Sequence, residues 1–253
     1  MKNIISFNFN AWCPISRNLS FIEKITYFAD YLKDKYRNFE EIAVICIQEF
    51  IPGKNRKYLN QLQEAFPLFH VFKPEGFNEL EHPRSLITVT LVHDSYKYNP
   101  IPFDCNLPNR ISYGQVWLND VPLRILNVYT VQTAIFSSGA AAWYIANRKK
   151  QKEQLWADII SEAQACTDPL LLVGDMQETT KAGIHIKQLT DLGFREKNGL
   201  FPTVKNKNFQ EWGIDHFLYN KAAWEKFYPS EFQFDGHLMD ELSDHVLLAA
   251  ISS

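Results

Sequence analysis

Apolar residues along the chain recur at two spacings, every second position and every third to fourth, and the switches between them mark out the elements. Residues 3–10 alternate toward their end through Ser6, Phe7, Asn8, Phe9 and Asn10, the pattern of a strand with Ser6, Asn8 and Asn10 on one face. Three polar side chains on one face fit a solvated edge or the floor of a polar site. From Phe21 to Tyr36, the residues Phe21, Ile22, Ile25, Phe28, Ala29, Leu32 and Tyr36 follow helical spacing, with Asn18 or Ser20 placed to cap the first turn. Ile42–Ile47 is an unbroken apolar run that ends in Gln48-Glu49-Phe50, a buried strand carrying a polar pair at its tip. Strand, helix and strand in that order read as a crossover unit, which brings Asn8, Asn10 and Glu49 to one edge of a sheet. A second helix is expected over Tyr58–Phe66.

Further along, Leu86–Val92, Ile111–Leu118 and Leu123–Tyr129 read as strands, the last two joined through Asn119-Asp120-Val121-Pro122 as a hairpin. Thr130–Ala140, with Ser137-Ser138-Gly139, is an irregular loop and a candidate wall of a substrate groove. A long helix follows from about Trp143 to Ala165, with Leu155, Trp156, Ile159, Ile160 and Ala163 as its apolar face. Its basic opening, Arg148-Lys149-Lys150-Gln151-Lys152, reads as a solvated face in preference to a phosphate-binding patch. Leu170–Val173 then stops abruptly in Gly174-Asp175, so that a buried strand delivers a carboxylate at its tip while glycine permits a tight turn or a close approach. A short helix near Ile184–Leu192 precedes two closing strands. One opens with Asp215-His216, and the other has Asp244-His245 just before its apolar run. Crossovers mixed with hairpins imply an α/β protein with mixed sheets.

Composition changes this picture little. The 253 residues are 46% hydrophobic and 22% charged, with no repeat or flexible linker, so one domain over residues 1–253 is expected. A net charge of −3 argues against a strongly basic nucleic-acid binder but leaves room for a nuclease with a local basic groove. Cys13, Cys46, Cys105 and Cys166 are scattered without zinc-like pairing, and Cys46 sits in an apolar run as a buried thiol. Asn3, Ser6, Asn8 and Asn10 interrupt any signal-peptide core, and no apolar run reaches membrane-spanning length. A reduced, cytoplasmic chain with no membrane insertion is therefore the expectation.

The candidate chemistry gathers at strand ends: Asn8, Asn10, Glu49, Tyr129, Asp175, Gln177, Asp215, Asp244 and His245. A set so rich in oxygen donors suits Mg²⁺, with Mn²⁺ as a substitute, better than zinc. No Gly-x-Ser-x-Gly elbow is present, which argues against a serine hydrolase, and no glycine-rich phosphate loop of the nucleotide-binding kinds appears.

Asn8 with Asn10, Gln48-Glu49, Asn127-Val128-Tyr129, Gly174-Asp175-Met176-Gln177, Pro202-Thr203, Ile214-Asp215-His216 and Ser243-Asp244-His245 occur in an order that resembles the endonuclease/exonuclease/phosphatase superfamily. The resemblance runs from residue 3 to about residue 250, and Tyr129 places it nearest the exonuclease III-like branch. It implies a four-layer αββα sandwich of two mixed β-sheets flanked by helices, and metal-dependent cleavage of a phosphoester. It further implies Glu49 as the principal metal ligand, with Asn10 and Asp244 near the ion. Asp175 would orient or deprotonate the attacking water, Gln177 would position it, and Asp215 would hold His245 against the phosphate. Asn8 and Tyr129 would complete the cradle, and either Asp175 or His245 would take the proton. Two positions depart from the usual pattern: Gln177 stands where asparagine is common, and Asn10 where an acid is frequent. The expectation is a nuclease acting on DNA or RNA. The alternatives are a phosphatase or phosphodiesterase of a small phosphoester or lipid headgroup, and a catalytically silent binding module.

Overall fold

The computed structural model describes residues 2–11, 19–132, 142–196, 202–205, 211–227, 229–239 and 241–252. The first half of the chain forms β1 (Lys2–Asn8), α1 (Phe21–Lys35), β2 (Ile42–Phe50), α2 (Lys57–Ala65), β3 (Phe69–Phe72), β4 (Ile87–His93), β5 (Tyr98–Pro100), β6 (Ile111–Leu118) and β7 (Val121–Tyr129). The second half forms α3 (Ala142–Ala165), β8 (Leu170–Asp175), α4 (Ile184–Asp191), β9 (Arg195–Glu196), β10 (Val204–Lys205), β11 (Glu211–Trp212), β12 (Asp215–Tyr219), α5 (Lys221–Lys226), β13 (Pro229–Asp235) and β14 (Leu247–Ser252).

Two six-stranded sheets result, in the orders β13-β14-β1-β2-β4-β3 and β5-β6-β7-β8-β12-β9, while β10 and β11 pair separately. Each large sheet is mixed in the same way. One parallel pair, β1 with β2 or β7 with β8, is joined by a helical crossover, and the remaining pairs are antiparallel. The alternation of side chains along these strands builds the layers. Ile5, Phe7, Ile45 and Ile47 face Ile25, Phe28 and Leu32 of α1 and Leu62 of α2. Ile4, Val44 and Cys46 meet Ile125, Leu171 and Val173 between the sheets. Leu126, Val128, Leu170 and Leu172 pack under Leu155, Trp156 and Ile159 of α3 and Ile186 and Leu189 of α4. Helix, sheet, sheet and helix therefore stack as four layers, and each fully buried Leu, Ile or Phe contributes about 1.5–3 kcal/mol. Helix α1 starts at Ser20, whose hydroxyl accepts from the Glu23 amide at 3.3 Å while the Glu23 carboxylate accepts from the Ser20 amide at 2.6 Å. Asn18, the other expected cap, lies outside the described residues.

The polar face of β1 is not a solvated edge. The strand is internal to its sheet, Ser6 and Asn8 are buried, and regular strand ends at Asn8, so Asn10 reaches its place by a turn instead of by strand period. Ser6 joins a polar spine between the sheets. Gln48 Nε2 donates to Ser6 Oγ at 3.2 Å and to Asn127 Oδ1 at 2.8 Å. Asn127 Nδ2 donates to the Val89 carbonyl at 3.0 Å, and Thr90 Oγ1 to Ser112 Oγ at 3.0 Å. Gly174 makes this possible: a β-carbon there would stand 2.2 Å from the Val128 carbonyl and 3.0 Å from Gln48 Nε2. Strand β13, which the sequence pattern did not separate from the loops, caps the first sheet beside β14, and β14 itself begins only at Leu247. Among the described residues no helix is long and apolar enough to cross a membrane.

Candidate active site

Parallel strands point their carboxyl ends the same way, and the two parallel pairs end at one mouth between the sheets. Asn8 ends β1, Tyr129 ends β7 and Asp175 ends β8, while Glu49 lies one residue short of the end of β2. Strict alternation would turn Glu49 toward the helices with Ile45 and Ile47. A bulge intervenes: Ile47 pairs with Val89 and Phe50 with Ile87, so one extra residue sits on β2, and Glu49 takes a left-handed backbone with φ 53°. Its carboxylate then meets Asn8 Nδ2 at 3.1 Å, and the same amide donates to Asp175 Oδ2 at 2.8 Å. Asn8 is thus a bridge between two carboxylates contributed by different sheets.

The remaining residues converge on this bridge. Asn10, at φ 36°, donates its backbone N–H to Asn8 Oδ1 at 2.8 Å and its amide to Asp244 Oδ1 at 2.6 Å. Gln177, at φ 51°, donates its N–H to Asp175 Oδ1 at 3.0 Å and its amide to Asp175 Oδ2 at 2.7 Å. Asp215 is the antiparallel partner of Asp175, and Thr203 Oγ1 accepts from the Ile214 and Asp215 amides at 3.0 Å each. His245 Nδ1 donates to Asp215 Oδ2 at 2.8 Å, and Ser243 fixes that turn by donating to the Asn8 carbonyl at 2.7 Å. Every expected site residue is therefore brought to one place. Residues 133–141, which hold most of the expected groove wall, lie outside the described residues.

One contributor was not expected. Arg110 precedes β6, is buried, stacks its guanidinium 4.0 Å from the centre of the Tyr129 ring and donates to the Thr130 carbonyl at 3.2 Å. Only its place just ahead of an apolar strand marked it in sequence, and an arginine there usually reads as solvated. The basic opening of α3 also departs from expectation at Lys152, which is not solvated but pairs with Glu178, the residue after Gln177, at 2.9 Å.

Electrostatics in this mouth are lopsided. Burial raises the Asp175 carboxyl to about 7, helped by Asp215 and Glu49 and opposed by His245. Burial likewise raises Glu49, against the pull of His245 and hydrogen bonds from Asn8 and Tyr129. For His245 burial favours the neutral ring, yet Asp215 and then Asp175 and Asp244 outweigh it and lift the imidazole to about 10. Burial and the Glu49 charge push the Tyr129 hydroxyl above its ordinary range, so it stays a donor. The raised Glu49 and Asp175 carboxyls are the groups that a bound cation would hold ionised, beyond what His245 and, at Glu49, Arg110 already offset. Ligand atoms of Glu49, Asp175 and His245 lie within 4.8 Å of one another.

No model of a known protein family matches the sequence, and neither does any curated protein. Solved structures do match over the whole chain. The 3′ phosphatase NExo from Neisseria, solved with a product DNA hairpin, superposes with a TM-score of 0.69 at 16% identity, covering 100% of both chains. A humanized D. rerio TDP2 gives 0.67 at 13% identity over 98% of this chain and 97% of that one. An AP endonuclease from Archaeoglobus fulgidus gives 0.65 at 15% identity over 100% of both. The fold is that of the endonuclease/exonuclease/phosphatase superfamily. Against the superfamily pattern, the departures at Asn10 and Gln177 leave no gap. Asn10 engages Asp244, and the longer Gln177 amide curls back to Asp175, so both side chains are built into the hydrogen-bond set of the mouth.

Proposed function

We propose that this protein is a metal-dependent phosphoester hydrolase that cleaves phosphodiester bonds in nucleic acid. The observation that carries the reading is the single hydrogen-bonded set running from Glu49 through Asn8 to Asp175, beside the Asp215–His245 pair. Glu49, with Asp244 and Asn10, would hold Mg²⁺ or Mn²⁺, which supplies charge neutralisation at the phosphoryl oxygens. Asp215 fixes the ring of His245 and keeps it charged, so its Nε2–H donates to a phosphate oxygen. That ring has a carboxylate near each nitrogen, Asp215 at 2.8 Å and Asp244 at 3.8 Å, which makes it a poor proton acceptor. Asp175 is left to take the proton of the attacking water as the phosphorus–oxygen ester bond breaks. Gln177 and Asn8 fix the Asp175 carboxylate for that transfer, and Tyr129 adds a neutral donor whose ring Arg110 holds in place.

Nucleic acid is favoured as substrate because NExo was solved with a product DNA hairpin and another structural neighbour is an AP endonuclease. The test is turnover of abasic-site duplex, 3′-phosphorylated DNA, RNA and a generic phosphodiester, with Mg²⁺, with Mn²⁺ and with chelator. Activity should require the metal, and Glu49→Gln should lower kcat/KM by about 10²-fold or more while leaving the circular dichroism unchanged. Full turnover in chelator or in Glu49→Gln would defeat the metallohydrolase assignment. Preference for a small phosphomonoester or a lipid headgroup would defeat the choice of substrate alone.

A further inference from the structure

A cavity of about 660 Å³ opens beside the mouth, lined among others by Ala11, Phe21, Lys54, Tyr58, Leu80 and Arg84. That is ample for a nucleoside, within the range of small-molecule sites. It starts where the site residues stop. Ala11 follows Asn10 and donates its N–H to the Glu49 carbonyl at 3.2 Å, and Ile51, also in the lining, is two residues beyond Glu49.

The walls are built rather than incidental. One is the segment 51–58, which runs into the first turn of α2, and the other the loop 79–84, and the Gly53 N–H donates to the Pro83 carbonyl at 2.9 Å across them. Glu79, buried at 2% exposure, draws Arg56 from the first loop at 2.8 Å and is also held by Lys73. The first loop carries left-handed backbone at Gly53, Asn55 and Arg56, with φ 77°, 54° and 61°, the kind of strain that persists where surrounding contacts impose it. Gly53 lets the Tyr58 ring lie against the backbone, since a β-carbon would stand 2.5 Å from that ring. Phe21 supports Tyr58 with ring centres 4.7 Å apart. The result is a fixed aromatic floor.

Two cations remain free at this groove. Arg56 and Lys73 are consumed by Glu79, but Lys54 and Arg84 have no ion-pair or hydrogen-bond partner among the described residues, and both are exposed. Glu81 is the one carboxylate in the lining. An aromatic face, the Asn55 amide and a surplus of positive charge next to a phosphoester site are complementary to a nucleotide: a base to stack, an edge to hydrogen-bond and a further phosphate to neutralise.

We propose that this groove is a nucleoside subsite, taking the nucleotide that adjoins the scissile phosphate, with Lys54 and Arg84 on the next phosphate of the strand. The assignment rests on the phosphoester-hydrolase reading and adds the direction in which the strand leaves the mouth, over β1 and β2 toward the loop after β2.

The experiment compares the wild type, the double variant Lys54→Ala/Arg84→Ala and the single variant Glu81→Lys. The primary measurement is fluorescence anisotropy of a labelled single-stranded DNA 12-mer in chelator. The double variant should weaken binding about tenfold and flatten its salt dependence, while Glu81→Lys should tighten it at low salt and lose that gain at high salt. A gain of affinity is an outcome that misfolding cannot imitate. In the metal-loaded enzyme, the ratio of kcat/KM for the 12-mer to that for bis(4-nitrophenyl) phosphate should fall about tenfold in the double variant. Unchanged binding in both variants, or an unchanged ratio, overturns the subsite. A wild type that binds the 12-mer through Lys54 and Arg84 yet turns over neither substrate defeats the hydrolase reading and leaves the groove standing.

Discussion

Gln177 is the residue on which the chemistry of the mouth turns. Its amide bonds Asp175 Oδ2 at 2.7 Å, a contact that an asparagine, one methylene shorter, would not reach from the same backbone. Gln177→Ala should lower kcat about 10²–10³-fold with KM little changed, and Gln177→Asn should fall between the two in steady-state kinetics on the best substrate. Equal rates in all three proteins would place Gln177 outside the reaction. At this scale much could be read from sequence, because a carboxylate, amide or histidine at the end of an apolar run is delivered to the rim whatever the rest of the chain does. Asp175, Asp215 and His245 were legible as candidates for that reason, whereas the pairing of Asp215 with His245 followed from the resemblance. The aim of Glu49 was not, because a one-residue bulge reverses the face that period two assigns to it, and nothing in Ile47-Gln48-Glu49-Phe50 announces the bulge. Arg110 was missed because its role depends on a ring contributed by the neighbouring strand.

At the scale of elements, the segment after β8 is clamped from three sides. His216 Nε2 on β12 donates to the Glu178 carbonyl at 2.7 Å while its Nδ1 faces Glu196. The Glu178 carboxylate accepts from the backbone N–H of His185 at 3.0 Å and meets His185 Nδ1 on α4 at 2.7 Å and Lys152 on α3 at 2.9 Å. Burial would raise the Glu178 carboxyl, but the His185 and Lys152 hydrogen bonds outweigh it and hold it at about 2. A carboxyl depressed in the folded state contributes stability above its unfolded value of about 4.3 and loses it as pH falls through the folded value. Wild type should therefore melt higher than Glu178→Gln at pH 6, and the gap should close between about pH 4 and pH 2. A gap independent of pH would show that the ion pairs contribute nothing. Helices α1, α3 and α4 were all legible, since each buries a stripe at helical spacing. Strand β13 alternates Phe232 and Phe234 with polar residues and was readable in principle, whereas β9, β10 and β11 span two residues each, too few to show any period.

For the whole molecule, the question is what keeps the two sheets in alignment. Apolar packing between Val44, Cys46, Ile125, Leu171 and Val173 is non-directional and would tolerate sliding. The spine from Ser6 through Gln48 to Asn127 and Thr90 is directional, and it lies directly beneath the mouth. Asn127→Leu removes the central member and leaves Gln48 without its best acceptor, a loss of about 1–3 kcal/mol. Its effect on activity should exceed what the lower stability explains, with kcat falling at temperatures where circular dichroism still reports a folded protein. If activity tracks the folded fraction alone, the spine serves stability only. The order of strands and the face-to-face pairing of the sheets were not legible by local pattern, because they depend on contacts far apart in sequence. They followed only from the resemblance.

Asn10, Glu49 and Gln177 all hold left-handed backbones, a conformation that a β-carbon disfavours and that glycine adopts freely. Each is a place where random substitution by glycine would relieve strain. Sturdiness and the layout of the mouth are thus opposed at these three positions: glycine would ease the backbone and at the same time remove the side chain that engages Asp244, Asn8 or Asp175.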